Sequence, residues 1–201
     1  MSKIRPYRPS DRDAVYDICI RTGDAGQDAT ARYADPNILP VIFAGPYVTF
    51  EPELAFVVAD DEDRAVGYVL GTADTNRFAE RFATEWLPSV ADRYPPLDQP
   101  PASPDEIMRD ILHHPERMVI PMLAAYPAHL HIDLLPGYQR SGYGRELILR
   151  LVDALRAAGV PAVHLGMATA NHAARAFYDR VGFHQIDVPG SDGVTYLGRQ
   201  T

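Results

Sequence analysis

The chain has 201 residues, 46% of them hydrophobic and 23% charged, with a formal net charge of -8. That length and mix fit one domain able to bury a core, and no apolar run approaches the ~18 residues a membrane span needs, so no membrane partner is expected. The acidic balance argues against a broad nucleic-acid surface, because phosphate binding needs a concentrated basic stripe.

The first residues, "MSKIRPYRPSDRD", are polar and lack the apolar core of a secretory signal, which sets a cytoplasmic expectation. Cys19, the only cysteine, sits in the apolar run "VYDICI" and reads as a buried helix residue rather than a reactive thiol. Of the 19 basic residues only Lys3 is lysine, so a side chain that holds an anion here will almost always be arginine, a fork suited to phosphate.

In chain order, "KIRPYR" reads as a short strand and "SDRDAVYDICIRTG" as a helix, with Ser10 as N-cap and Val15, Ile18, Cys19 and Thr22 on one face. From Gly23 to Glu53 a mobile loop and a short helix are expected, interrupted by Pro40 and Pro46. "LAFVVADDEDRAVGYVLGTAD" is a hairpin of two central strands around an acidic turn. A helical insertion around residues 75–120 follows, its second helix opened by Ser103 and Pro104. "AHLHIDLLP" reads as a strand, "SGYGRELILRLVDALRAAG" as a periodic helix, "PAVHLGMA" as a strand and "NHAARAFYDRVG" as a helix; "FHQIDV" and "GVTYLGR" close as strands. Residues 1–201 are therefore expected to form a single α/β domain.

The stretch "LLPGYQRSGYGRELI" places Gly142 and Gly144 between a strand and a long helix. The first turn of a helix leaves about four N–H groups unpaired and carries roughly half a positive charge, and glycine lets a ligand approach the backbone. An anion is the natural guest. Neither the Gly-Lys-Ser/Thr ending of a Walker loop nor a dinucleotide G-x-G-x-x-G is present. Instead Gln139, Arg140, Ser141, Gly142, Tyr143 and Gly144 spell Q-x-x-G-x-G, followed by Arg145.

On these residues the chain resembles the GNAT acyltransferase family, whose loop of this pattern wraps the pyrophosphate of acetyl-CoA. "ATANHAARAFYDRVGF" resembles the family's next strand and helix, through Asn171, Ala174, Tyr178, Gly182 and Phe183. "AVGYVLGTAD", "EWLPSVADRY", "HLHID" and "TYLGR" extend the likeness to the acetyltransferase-like C-terminal domain of O-GlcNAcase and its free-standing bacterial relatives. In the animal enzymes that domain is usually called a pseudo-acetyltransferase because its loop is degraded, whereas the loop here is complete. The resemblance implies an α/β GNAT fold: a central mixed, mostly antiparallel sheet, splayed at the acetyl-CoA site and flanked by helices on both faces. It implies acetyl-CoA as cosubstrate, Asn171 and Ala174 along the pantetheine arm, backbone N–H groups at Leu134 and Leu135 to polarise the thioester, and Tyr178 as general acid.

The base is open from sequence. Strand alternation puts His129, His131, Asp133 and Leu135 on one face, so His131 and Asp133 are candidates as base or acceptor-recognition groups, directly or through water. The alternatives are a metal site or polar residues at a strand edge; the remaining histidines lack zinc-like spacing. The acceptor is expected to be an amine, on a small molecule or a protein. Asp24, Asp28, Asp35, Glu51 and Glu53 hint at a cationic one. Aromatic residues of the insertion could lie at an interface, and a homodimer is carried as an expectation. The competing function is a non-catalytic acetyl-CoA-binding module acting as sensor or interaction domain.

Overall fold

A computed structural model describes residues 2–201. The chain runs β1 (Lys3–Pro6), α1 (Arg12–Thr22), α2 (Ile38–Phe43), α3 (Gly45–Phe50), β2 (Ala55–Ala59), β3 (Ala65–Thr72), α4 (Thr75–Arg81), α5 (Leu87–Val90), α6 (Pro104–His113) and β4 (Ala128–Leu134). It continues through α7 (Tyr143–Ala157), β5 (Ala162–Ala168), α8 (His172–Arg180), β6 (His184–Ile186) and β7 (Val194–Gln200). The strands form one seven-stranded sheet in the order β1-β2-β3-β4-β5-β7-β6. Neighbours are antiparallel except β4 and β5, which α7 joins as a parallel pair.

Two cores lie on opposite faces of the sheet. On one, α7 lays down Leu147, Ile148, Leu151, Val152 and Leu155, spaced to share one side of a helix, all buried. Each such side chain contributes about 1.5–3 kcal/mol on leaving water. Leu151 seats where Gly71 of β3 has no side chain; a Cβ there would lie 2.9 Å from its methyl carbon. The other face carries α1, through Val15, Ile18, Cys19 and Thr22, together with α2, α3 and the helices between β3 and β4. Cys19 is buried, as its apolar run requires.

Two expectations need correction. Ser10 does not cap α1: a short 3-10 turn, Pro9–Asp11, precedes the helix and Asp11 takes the cap position. The reason is Asp11's buried carboxylate, which accepts two hydrogen bonds from the Arg5 guanidinium at 2.6 and 2.8 Å and one from the Arg8 N–H. The segment from Gly23 to Glu53 holds two short helices, not one, and its loop is tied down. Asp105 accepts from the N–H groups of Ala34 and Asp35, while the Asp35 carboxylate accepts from Arg93 and Tyr94. Pro40 lies in the first turn of α2 and Pro46 in that of α3, where a missing N–H costs nothing.

A π-helical turn, Phe82–Trp86, links α4 to α5 and turns Trp86 inward. Its indole donates to Val41 O at 2.8 Å, and its ring fills the space above Gly45. Glu51 fastens the other end of α3, accepting from Thr72 Oγ1 at 2.5 Å and Ala73 N at 2.8 Å. These two clamps fix α3 against the sheet, and with it Tyr47.

Candidate active site

The ladder between β4 and β5 has only two residue pairs, Ala128 with Val163 and His129 with His164, although both strands run on. Beyond them the strands part. The opposite edge of β4 stays paired with β3 throughout, and Leu135 N donates to Val66 O at 3.0 Å. N–H groups of an antiparallel strand alternate between its edges, so those of Ile132 and Leu134 face the opening. Of the two N–H groups expected to polarise a thioester, Leu135's is therefore taken up by β3, and only Leu134's faces the gap.

At the end of β4 the chain enters the glycine loop. Gln139 Nε2 donates to Leu134 O at 2.9 Å and ties the loop back to the strand, while Ser141 Oγ donates to Gln139 O. Arg140 has φ 59° and Gly142 φ 88°, so the turn that aims α7 passes twice through the left-handed region. No side chain caps α7, and its first N–H groups open onto solvent beside Gly142, where a Cβ would meet nothing within 4 Å. Gly144 serves packing instead. A Cβ at that position would lie 3.2 Å from the Phe177 ring, so this glycine lets α8 pack close to α7. Tyr143 borders the loop half-buried, while Arg140 and Arg145 are solvent-facing and have no carboxylate partner among the described residues.

α8 begins at Asn171, whose Oδ1 accepts from Ala174 N at 3.0 Å. The asparagine expected along the pantetheine arm therefore uses its carbonyl to cap the helix, and only its Nδ2 donors remain. Ala174 follows, small and half-buried. Tyr178, half-buried between Phe177 and Phe183, has a hydroxyl with no hydrogen-bond partner among the described residues. Burial and the nearby Asp133 carboxylate both push its pKa up, so it stays protonated.

The alternation expected along β4 holds. Asp133 pairs across the ladder with Tyr68, whose hydroxyl donates to its carboxylate at 2.6 Å, and both face α1. Burial beside Cys19 and Thr22 pushes Asp133 up to about 7, against the hydrogen bonding that favours its ionised form.

His129 and His131 belong to a chain of hydrogen bonds that fixes their protons. Thr75 Oγ1 lies 2.8 Å from both Pro127 O and His129 Nδ1. A carbonyl only accepts, so the threonine donates to Pro127 and accepts from His129 Nδ1–H. His129 Nε2 then accepts from the buried Tyr47 hydroxyl at 2.7 Å, and the Tyr47 oxygen accepts from His131 Nε2–H at 3.0 Å. His131 is left with a lone pair on Nδ1. Burial, aided by the positive charge of Arg117, pushes His131 down to about 4, and His129 falls well below its ordinary value for the same leading reason. Among the described residues no three side chains converge to hold a metal ion. Both nitrogens of His129 are engaged, and His164 Nδ1 lies 2.7 Å from Tyr126 O.

A cavity of about 380 Å3 opens where β4 leaves β5. His131 lines it, as do Phe43, Tyr47, His164 and Tyr196, while Asp133 does not. Arg117 reaches the same cavity from the segment before β4; its Nε donates to Ile111 O at 3.3 Å, and it has no carboxylate partner among the described residues. Sequence reasoning missed Tyr47, Thr75, Arg117 and His164. Only His164 left a signal, a histidine inside the apolar run "PAVHLGMA"; the others lie on segments with no local motif.

The model of the Acetyltransferase (GNAT) family matches residues 108–183, which take in β4, the glycine loop, α7, β5 and α8. Protein O-GlcNAcase of Rattus norvegicus is 26% identical over 187 residues, 91% of this chain and 20% of that protein. The chain thus spans about a fifth of that relative. The [ribosomal protein bS18]-alanine N-acetyltransferase of Escherichia coli (strain K12) is 38% identical over 68 residues, 31% of this chain and 46% of that protein. Among solved structures, that of SsHAT superposes with a TM-score of 0.96 at 59% identity, covering 99% of this chain and 98% of that one. The E. coli ribosomal-protein-S18-alanine N-acetyltransferase shares the fold at a TM-score of 0.54 and 19% identity, covering 100% of this chain and 94% of that one. Splayed sheet, glycine loop and relatives agree, and the chain belongs to the GNAT acetyltransferase family.

Proposed function

We propose that the protein transfers an acetyl group from acetyl-CoA to a primary amine. The observation that carries this reading is the opening between β4 and β5 beside the uncapped start of α7. The opening offers a slot between two strands, and the helix start offers unpaired N–H groups and the positive end of a dipole to a pyrophosphate. Gln139, Arg140, Ser141, Gly142, Tyr143, Gly144 and Arg145 would hold that group; Asn171 Nδ2 and Ala174 would border the pantetheine arm. The N–H of Leu134 is the donor available to the thioester carbonyl oxygen.

His131 is assigned as the base. His131 lines the cavity, its Nδ1 has no hydrogen-bond partner among the described residues, and a neutral imidazole is present at any pH well above 4. A base this weak serves because the amine's proton becomes acidic only as its nitrogen bonds the acetyl carbon. Nδ1 takes that proton, and Tyr178 gives its own to sulfur as the carbon–sulfur bond breaks; exchange with water resets both. Asp133 favours the protonated form of Tyr178 by its nearby charge. Thr75, His129 and Tyr47 act through His131 as positioning residues.

The test is calorimetric titration of acetyl-CoA into wild type and Gly142→Asp, followed by thiol release with a panel of amines. Tight binding lost in the variant, with turnover of an amine, supports the proposal. Binding without turnover of any amine would leave a non-catalytic acetyl-CoA-binding module, and no binding would overturn both.

A further inference from the structure

The cavity beside His131 says what kind of amine enters it. Its lining contains no aspartate or glutamate and one permanently charged residue, Arg117. That guanidinium acts through its positive charge on Tyr47, His129, His131 and Tyr196 in the same direction in which it would attract an anion, although burial is the larger influence on each. It makes one hydrogen bond, through Nε to Ile111 O, which leaves its terminal Nη donors without a hydrogen-bond partner among the described residues. The walls around it are aromatic or aliphatic, Phe43, Tyr47, Met118 and Tyr196 among them.

Four of the five acidic residues that hinted at a cationic acceptor are occupied elsewhere. Asp24 pairs with Arg32, Asp28 accepts from Thr30 N, Asp35 is held by Arg93 and Tyr94, and Glu51 binds Thr72 and Ala73. None of them lines the cavity, so within its lining a polyamine would meet one fixed positive charge and no carboxylate.

We infer that the acceptor is a small amine that also carries a carboxylate, of amino-acid size, with Arg117 binding the carboxylate while the amine meets His131 Nδ1. A guanidinium without a carboxylate partner at the edge of an aromatic cavity suits a carboxylate through a two-point fork, and because Arg117 and His131 line the same cavity, one small molecule carrying both an amine and an acid can meet the two. A cavity of about 380 Å3 is of small-molecule size. The inference rests on the acetyl-transfer reading for the amine's position, and on the cavity alone for the carboxylate.

The experiment compares matched acceptors that differ only in the carboxylate: L-leucine against 3-methylbutylamine, L-phenylalanine against 2-phenylethylamine, with spermidine as the polycation. Thiol release gives kcat/KM for wild type, Arg117→Gln and Arg117→Lys, and calorimetry gives the affinity of each amino acid for the protein saturated with CoA. The expected result is a preference of at least tenfold for the amino acid of a pair. Arg117→Gln should reduce that ratio below threefold, chiefly through KM, and Arg117→Lys should keep part of it. Turnover with no such preference, with equal losses on both members of a pair, or fastest with spermidine overturns the inference and leaves acetyl transfer standing. Arg117-dependent amino-acid binding without turnover overturns acetyl transfer and supports the inference. Absence of both turnover and amino-acid binding overturns the inference.

Discussion

The two sides of the opening between β4 and β5 are built from different material. The loop side uses one contiguous stretch, residues 134–146, and offers backbone: N–H groups at the start of α7, aimed by two residues with positive φ. The other side uses side chains from α3, α4 and β4, with Arg117 added from the segment before β4, and its central hydrogen bond joins residues 82 positions apart. A backbone site depends on conformation and charge and tolerates many side chains. A side-chain site depends on each group keeping its proton and its place. Substitutions on the two sides should therefore fail differently.

The largest effect is expected on the loop side. Gly142→Asp puts a carboxylate at the positive end of α7, where a pyrophosphate would sit, and acetyl-CoA affinity should fall by at least 100-fold, or about 2.7 kcal/mol. Gly144→Ala presses on the Phe177 ring instead, so it should lower the melting temperature by a few degrees and cost less than tenfold in affinity. Titration calorimetry beside thermal melts separates them. If Gly144→Ala weakens binding more than Gly142→Asp, the division between a conformational and a packing glycine is wrong.

Tyr178→Phe comes next. It removes a hydroxyl without hydrogen-bond duties among the described residues and leaves the ring between its aromatic neighbours. Loss of the proton donor should lower kcat by about 100-fold, with acetyl-CoA affinity changed by less than tenfold. A kcat within threefold of wild type would remove Tyr178 from the chemistry.

Tyr47→Phe acts through its neighbours and should cost less, about tenfold in kcat, together with about 1–3 kcal/mol of stability from two imidazoles that lose a buried partner. A merely structural role would not alter the protons. Nitrogen-15 spectra should show His131 as the Nε2–H tautomer in wild type and as a mixture in Tyr47→Phe. A wild-type Nδ1–H tautomer would reverse the chain and leave Nδ1 without the lone pair a base needs.

Much of the loop side was legible in the sequence because its physics is local: a strand, a positive-φ turn and a helix start follow one another, and each leaves a residue pattern. The seven strands and the central helices were legible for the same reason. The finer assignments that failed did so where a distant group intervened. Leu135's N–H went to Val66, and Ser10 yielded its cap to Asp11 because Arg5 binds Asp11. On the acceptor side, alternation placed His131 and Asp133 on one face, but nothing in the order of residues could bring Tyr47 and Arg117 to them. Tyr47's placement depends on Trp86 and Glu51 holding α3 against the sheet, and Arg117's on the segment that follows α6.

Asp133 tests the boundary between the sides with the smallest effect, and the sign of that effect is fixed in advance. Its folded pKa, about 7, stands above the usual carboxylate value because burial disfavours the charge. Stability from a group shifted this way is full below the unfolded pKa, near 3.9, and is lost as pH rises to the folded value. Asp133→Asn cannot ionise and escapes that loss, while the opposite contribution of neutral His131, lost as pH falls from the ordinary histidine value, near 6.5, to about 4, is common to both proteins and cancels. The variant should therefore gain on wild type by about 1 kcal/mol between pH 5 and pH 6, with the gain levelling off above pH 7. Urea melts at four pH values measure it. A difference independent of pH would mean that Asp133 is ionised throughout, and a carboxylate charged at pH 5 would also be a competitor to His131 as the base.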